Sequence, residues 1–191
     1  MDAIAALRYD GYSYRDQTIS ELSAVDAPTR AFWLWLVVPY EALVFSLALG
    51  VFSAARRRAV GLIGWFVFVF ALTGIAWPFA PMHQREVLAA GGGTTSDTMH
   101  LVLAGVTSVC FMGMTIAASV AFRGRFRLYS IATIAGLLVF GSLISVGSVG
   151  VADNEQTSWL GIYERINVFG AMLWMGVFGL KLRRDLDPLR A

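Results

Sequence analysis

The sequence predicts an all-α fold: a polytopic membrane helix bundle of about five transmembrane helices, with the N-terminus outside and the C-terminus cytoplasmic. Three observations carry this. Apolar residues make up 57% of the 191 and charged residues 15%, against about 45–50% and about 25% in soluble domains. The apolar residues fall in five runs, each long enough to cross a hydrocarbon core. The connectors that hold arginine recur on one side only.

A helix rises 1.5 Å per residue, so about 20 apolar residues traverse a core of about 30 Å. The runs cover approximately 31–55, 59–79, 99–122, 128–151 and 159–182. In lipid a helix satisfies its own backbone, so the helix assignment follows from the span assignment. The connector 53–58 holds Arg56, Arg57 and Arg58. The connector 123–127 holds Arg123, Arg125 and Arg127. The tail holds Lys181, Arg183, Arg184 and Arg190. If the spans alternate, these lie together and gather ten of the 15 basic residues. The other side holds Asp2, Asp10, Asp16, Glu21, Asp26, Glu86, Asp97, Asp153 and Glu155. The positive-inside rule makes the basic side cytoplasmic. Trp33, Trp35, Trp77 and Trp159 fall near the outer boundaries, where interfacial anchors belong.

The expected organisation is an extracytoplasmic segment 1–30, a bundle 31–182 and a cytoplasmic tail 183–191, in the cell (inner, cytoplasmic) membrane. The first thirty residues have no cationic start followed by an apolar stretch, so they do not read as a secretory signal. An outside N-terminus with no preceding span suggests that a helix is missing from the front, either lost in this protein or lying upstream of this segment.

Four stretches carry a family likeness. They are Tyr14-Arg15-Asp16-Gln17-Thr18-Ile19-Ser20-Glu21-Leu22, Phe79-Ala80-Pro81-Met82, Asp97-Thr98-Met99-His100-Leu101, and Gly161-Ile162-Tyr163-Glu164-Arg165-Ile166 followed by Leu173-Trp174. Taken in order, with five spans between them, they resemble the bacterial and archaeal membrane family known as domain of unknown function 998. The resemblance implies a membrane protein of unsettled activity, usually with a sixth helix ahead of the Ser-Glu-Leu motif. Tyr12-Ser13-Tyr14 stands where that family usually has Asp-Pro-Leu.

All four stretches fall on the predicted outer side. Thr18, Ser20, Glu21, His83, Asp97, His100, Glu164 and Arg165 are therefore candidates for one polar cluster. Asp97 and His100, three apart at a helix start, share a face. They are the candidates for a catalytic pair, although Asp97 could instead cap the third span. His100 could hold a metal, relay protons, or bond the Ser20–Glu21 segment. Arg165, roughly 9 Å below the interface, must snorkel or pair. Its expected partner is Glu21 or Glu41, which would anchor the Ser20–Glu21 segment, and a lipid phosphate or carboxylate ligand is the alternative.

Glu41 lies eleven positions past Arg30, roughly 16 Å into the bilayer. Such an acid costs about 2.5–3.5 kcal/mol on insertion scales, so it should face the bundle interior. It reads either as an ion, proton or ligand site, or as an acid bonded to Ser142, Ser145 or Thr115. Gly136, Gly141, Ser142, Ser145, Gly147, Ser148 and Gly150 make the fourth span the expected central, closely packed helix.

No cofactor and no metal site is predicted. Both histidines sit at the outer edge rather than at haem depth, Lys181 lies at the cytoplasmic end and cannot form a buried Schiff base, and Gly91-Gly92-Gly93 is a turn. Nucleic acid is not an expected partner, because the basic connectors are short and flush with the membrane. The expected partners are membrane lipids and other membrane subunits. Three functions stay open: a non-enzymatic lipid- or ligand-binding protein or accessory subunit; a membrane-embedded hydrolase or transferase built on His100 and Asp97; and a small proton-linked transporter using Glu41.

Overall fold

The structure, a computed structural model, describes residues 2–55 and 58–186. The expected basic residues Arg56, Arg57 and Arg190 lie outside the described residues. Helix α1 (Asp2–Ala6) opens the chain. An irregular stretch with a 3-10 turn (Ser20–Ser23) follows. Then come α2 (Arg30–Ser53), α3 (Arg58–Ala76), a 3-10 turn (Trp77–Phe79), α4 (Arg85–Ala89), α5 (Thr95–Ala121), α6 (Arg125–Gly147), α7 (Val149–Ala152) and α8 (Leu160–Leu186). The protein is an all-helical bundle of five long helices. Four of them (α2, α3, α5 and α6) are long and apolar enough by length and composition to cross a membrane. The fifth, α8, is 27 residues long and carries Glu164, Arg165 and Lys181 within its apolar run.

The boundaries follow local chemistry. Helix α5 begins at Thr95, earlier than its apolar run, because Thr94 and Asp97 form a capping box. Each side chain satisfies the other residue's free backbone N–H. Pro78 ends the regular part of α3 and leaves the turn Trp77–Phe79. Between α5 and α6 the chain reverses through Gly124 at φ +65°, a conformation cheap only for glycine.

In the lateral order α3 packs on α2 and on α5, α5 on α6, and α6 on α8. The core includes Ile63 and Val67 of α3, Met114 of α5, and Trp174 and Phe178 of α8, each fully buried. The Trp174 and Phe178 rings stack at 5.3 Å. The Trp174 indole N–H donates to Ser130 Oγ at 3.1 Å, so burying a polar edge costs no hydrogen bond. Close backbone approach occurs on α3 and α5: a Cβ on Gly113 would stand 2.4 Å from Phe66 Cζ, and one on Gly64 2.9 Å from the Phe52 ring.

The expectation that the fourth span is central is corrected. Helix α6 buries only Phe126 and Ser130. Gly136 has nothing within 4 Å of where its Cβ would be, and Ser142 and Ser145 are exposed. Small residues permit close packing but do not enforce it. Here the bulky Trp174 and Phe178 of α8, with their apolar surface, take the interior place.

The two ends of the bundle differ. At one end Arg58 opens α3, Arg123 and Arg125 flank the α5–α6 reversal, and the Lys181 ammonium lies 5.4 Å from the Phe122 ring centre. At the other end, the N-terminal segment, the stretch 77–94 and the α7–α8 link fold into one polar cap.

Candidate functional site

The cap is built from ion pairs that join distant parts of the chain. Arg165, six residues into α8, is 3% exposed. Its Nε and Nη2 donate to the two carboxylate oxygens of Asp2 at 3.0 Å each. Nη2 also donates to the Tyr12 hydroxyl at 2.8 Å. Nη1 donates to the carbonyls of Tyr14, Gln17 and Gly161 at 2.8–3.1 Å. The guanidinium carbon sits 3.6 Å from the Tyr14 ring centre. Every donor of the fork is thus engaged, the condition under which a buried arginine is tolerated. Arg165 does hold the N-terminal segment, but its partner is Asp2 rather than Glu21 or Glu41. Neighbouring helix positions diverge by about 100°, and Glu164 instead accepts the backbone N–H of Ile19.

Glu21 belongs to a second pair. Its carboxylate accepts from Arg85 Nε and, at 3.0 Å, from Arg85 Nη2. It also accepts from Gln17 Nε2, from the Thr18 N–H and from the Thr18 hydroxyl. Arg85 donates further to Thr157 Oγ1 at 2.8 Å and to the Glu155 carbonyl at 3.0 Å. Burial alone would raise the Glu21 carboxyl, but the Arg85 guanidinium, Gln17 and Thr18 outweigh it and hold it below the usual range. Asp16 is also held low, by Arg15 and by the Trp159 N–H. Burial drives the Tyr12 phenol well above its ordinary value, although Arg165 pulls the other way. Ser20 takes no part through its side chain, and its carbonyl accepts from the Ser23 hydroxyl.

The histidines go elsewhere. His83 Nδ1 donates to Asp97 Oδ2 at 2.8 Å, and its backbone N–H donates to Asp97 Oδ1 at 2.7 Å. Asp97 also closes the capping box. His100 donates through Nδ1 to the Ala80 carbonyl at 2.9 Å and lies edge-on to Trp77. The structure therefore does not bring His100 and Asp97 together as a pair, nor His100 to the Ser20–Glu21 segment. One turn of α5 separates them, and each is claimed by the stretch 77–84. Among the described residues, no group of three His, Cys, Asp or Glu could hold a metal ion.

Sequence reasoning missed Arg85, Asp2, Tyr12 and Thr157. Arg85 carried a signal: it is the one arginine between the second and third spans, on the acidic side.

Tightness can be tested at Gly161, where a Cβ would lie 2.2 Å from the Gln17 carbonyl oxygen and 2.7 Å from Arg165 Nη1. Backbone cannot yield as a flexible side chain can. Gly161→Ala is expected to lower stability by about 1–3 kcal/mol, the usual cost of overpacking. Thermal unfolding in detergent reads the loss, and an unchanged midpoint would show that the segment 14–17 does not lie against α8.

Apolar helices around such a cap define a multi-pass helical membrane protein. The chain belongs to the family described as "Protein of unknown function (DUF998)", which matches residues 1–181. Apart from Leu173-Trp174, which lies along α8 in the bundle, the four stretches that carried the likeness meet in the cap: Tyr14 and Gln17 on Arg165, Ile19 on Glu164, Ala80 on His100, and the Met82 carbonyl on the Val25 N–H at 2.8 Å. No match is found among curated proteins or among solved structures.

Proposed function

We propose that this protein is a non-enzymatic accessory subunit of the cell membrane. In this reading it binds another membrane protein along its lateral face and holds its cap outside, with the arginine end cytoplasmic by the positive-inside rule. One observation carries the reading: α6 and α2 each leave an apolar stripe uncovered. On α6 this stripe is Leu128, Ile131, Ala135, Leu138, Ser142 and Val146, at helical spacing, and it continues at Val149 of α7. On α2 it includes Trp35, Pro39, Ala42, Ser46 and Leu49. Lipid satisfies such surfaces too, but small residues along α6 suit close contact with another helix. Beside them, between α6 and α8, lies an apolar groove of about 190 Å³ containing Gly136 and Gly170.

The cap supports the same reading. Its two buried arginines, Arg165 and Arg85, are spent on Asp2 and Glu21, which suits a rigid lid better than a site that must take up substrate charge. The hydrolase or transferase reading needs His100 and Asp97 to converge with a third polar group, and their separate engagements favour it less.

The test is gentle purification from the native membrane, with mass spectrometry of what co-purifies. The expected result is a stoichiometric membrane-protein partner that Leu138→Trp or Val146→Trp releases while the cap stays folded. Recovery of this chain with bulk lipid alone would refute the subunit reading, and a bound zinc would return attention to the histidines.

A further inference from the structure

Glu41 is the ionisable residue that the cap does not absorb. It lies eleven residues along α2 from Arg30, about 16 Å at 1.5 Å per residue. Its Oε2 is fully buried and has no hydrogen-bond partner among the described residues. None of the three donors expected from the sequence reaches it. Thr115 donates to the Phe111 and Met112 carbonyls of its own helix, and Ser142 and Ser145 sit on the exposed side of α6.

What faces the carboxyl is a missing side chain. A Cβ on Gly74 of α3 would stand 2.0 Å from Glu41 Oε1 and 2.2 Å from Oε2. The acid therefore sits directly on the α3 backbone, in space that only glycine leaves open. A helical side chain leans toward its own N-terminus, which here is the cap end. Gly74 is two residues before the end of α3, at Ala76, so the carboxyl is held in the cap-side half of the bundle. Further polar groups lie on the same two helices. Thr73 Oγ1 lies 3.4 Å from Thr107 Oγ1, and Pro39, within α2, leaves the Trp35 carbonyl without its helical donor.

Among the described residues no cation is placed to neutralise it; Arg8, against α2, lies over the Phe32 ring, 4.4 Å from its centre. On α2 itself, Tyr40 is adjacent, and Arg30 is engaged by the Ser23 and Pro78 carbonyls. On α3 the only charged residue described is Arg58, at the far end. In the 3-10 turn against α2, Glu21 is held by Arg85. On α8, which meets α2 at Leu47 and Gly179, Glu164 and Arg165 are engaged in the cap. Lys181, Arg183, Arg184 and Asp185 of α8 lie at the arginine end. An unpaired carboxylate in hydrocarbon is far costlier than the neutral acid, and the ligand that removes this cost with no room to spare is a proton.

We propose that Glu41, seated on Gly74, is a proton-binding site within the membrane that exchanges with the cap side. This goes beyond the subunit reading and does not depend on it.

The test uses membranes holding the full chain and a lipid-soluble probe, dicyclohexylcarbodiimide. A protonated carboxyl adds its O–H across one C=N bond of the carbodiimide, and the resulting O-acylisourea rearranges to a stable N-acylurea with no leaving group. Peptide mapping is expected to find the adduct on Glu41. Its yield should fall about tenfold per pH unit once the site titrates, and a water-soluble, membrane-impermeant carbodiimide should leave it unlabelled. Infrared spectra of the wild type should carry an acid C=O band that Glu41→Gln removes and Gly74→Ala shifts. An unmodified Glu41 at every pH, a yield independent of pH, or equal labelling by the impermeant reagent would overturn the proposal. If Glu41→Gln fails to fold, the mapping and pH profile of the wild type decide alone.

Discussion

Arg165→Met is expected to release the N-terminal segment from the bundle at a cost of about 3–5 kcal/mol, the usual price of breaking a buried ion pair from one side. The substitution keeps much of the volume but removes every donor. It leaves the Asp2 carboxylate, 5% exposed, without its cation, and frees the carbonyls of Tyr14, Gln17 and Gly161. Arg165→Lys is not expected to rescue it, because one ammonium cannot match the planar fork. Hydrogen exchange over residues 2–19 is the direct reading. Protection should collapse there while the centre of α8, around Trp174, stays protected. Unchanged protection of 2–19 would mean that the segment is held by apolar contacts and not by this arginine.

Arg85→Met should have an effect of similar size, about 3–5 kcal/mol for the same reason, but it loosens a different seam. Arg85 ties the 3-10 turn to the α7–α8 link through Glu21, Thr157 and Glu155. Its loss should open the cap between those parts. Glu21→Gln is the milder partner, since an amide still accepts. In a double-mutant cycle the two substitutions should be strongly non-additive, as contacting residues are. Additive effects would show that the pair does not act as a unit.

Acid should reproduce part of this without mutation. The folded Glu21 and Asp16 carboxyls are held below their ordinary values. Their contribution is therefore fully present above the unfolded carboxylate range, about 3.9–4.3, and fades as pH falls through the lower folded values. Thermal stability should drop as the buffer is acidified below about pH 4, and Glu21→Gln should flatten that drop. A profile unchanged by the substitution would assign the acid sensitivity to other groups.

The spans were legible because their signal is local and redundant. Roughly twenty apolar residues in a row admit one reading, and arginine at alternate connectors groups those connectors on one side. The cap was legible only in part. Glu21, Asp97 and Arg165 stand out as charges beside or within apolar runs. Their partners do not, because Asp2 lies 163 positions from Arg165, and Arg85 lies 64 from Glu21. Several arginine and carboxylate combinations satisfy the same charge balance, and neither periodicity nor spacing chooses among them. His100 illustrates the converse: it shares a helix face with Asp97, yet the stretch 77–84 supplies each with its own partner.

The same division holds for the helices. Composition by itself determined that this protein is a bundle of membrane helices with opposite charge at its two ends, because transfer of each run into lipid is a property of that run alone. Which helix stands inside was decided by the tertiary structure. The small residues of α6 could have lined the centre, but the core is filled by Trp174 and Phe178 of α8. The place of the Glu41 carboxyl was likewise decided by a glycine on another helix. Interior position depends on how surfaces from separate helices fit together, and fit is a relation between runs that no single run contains.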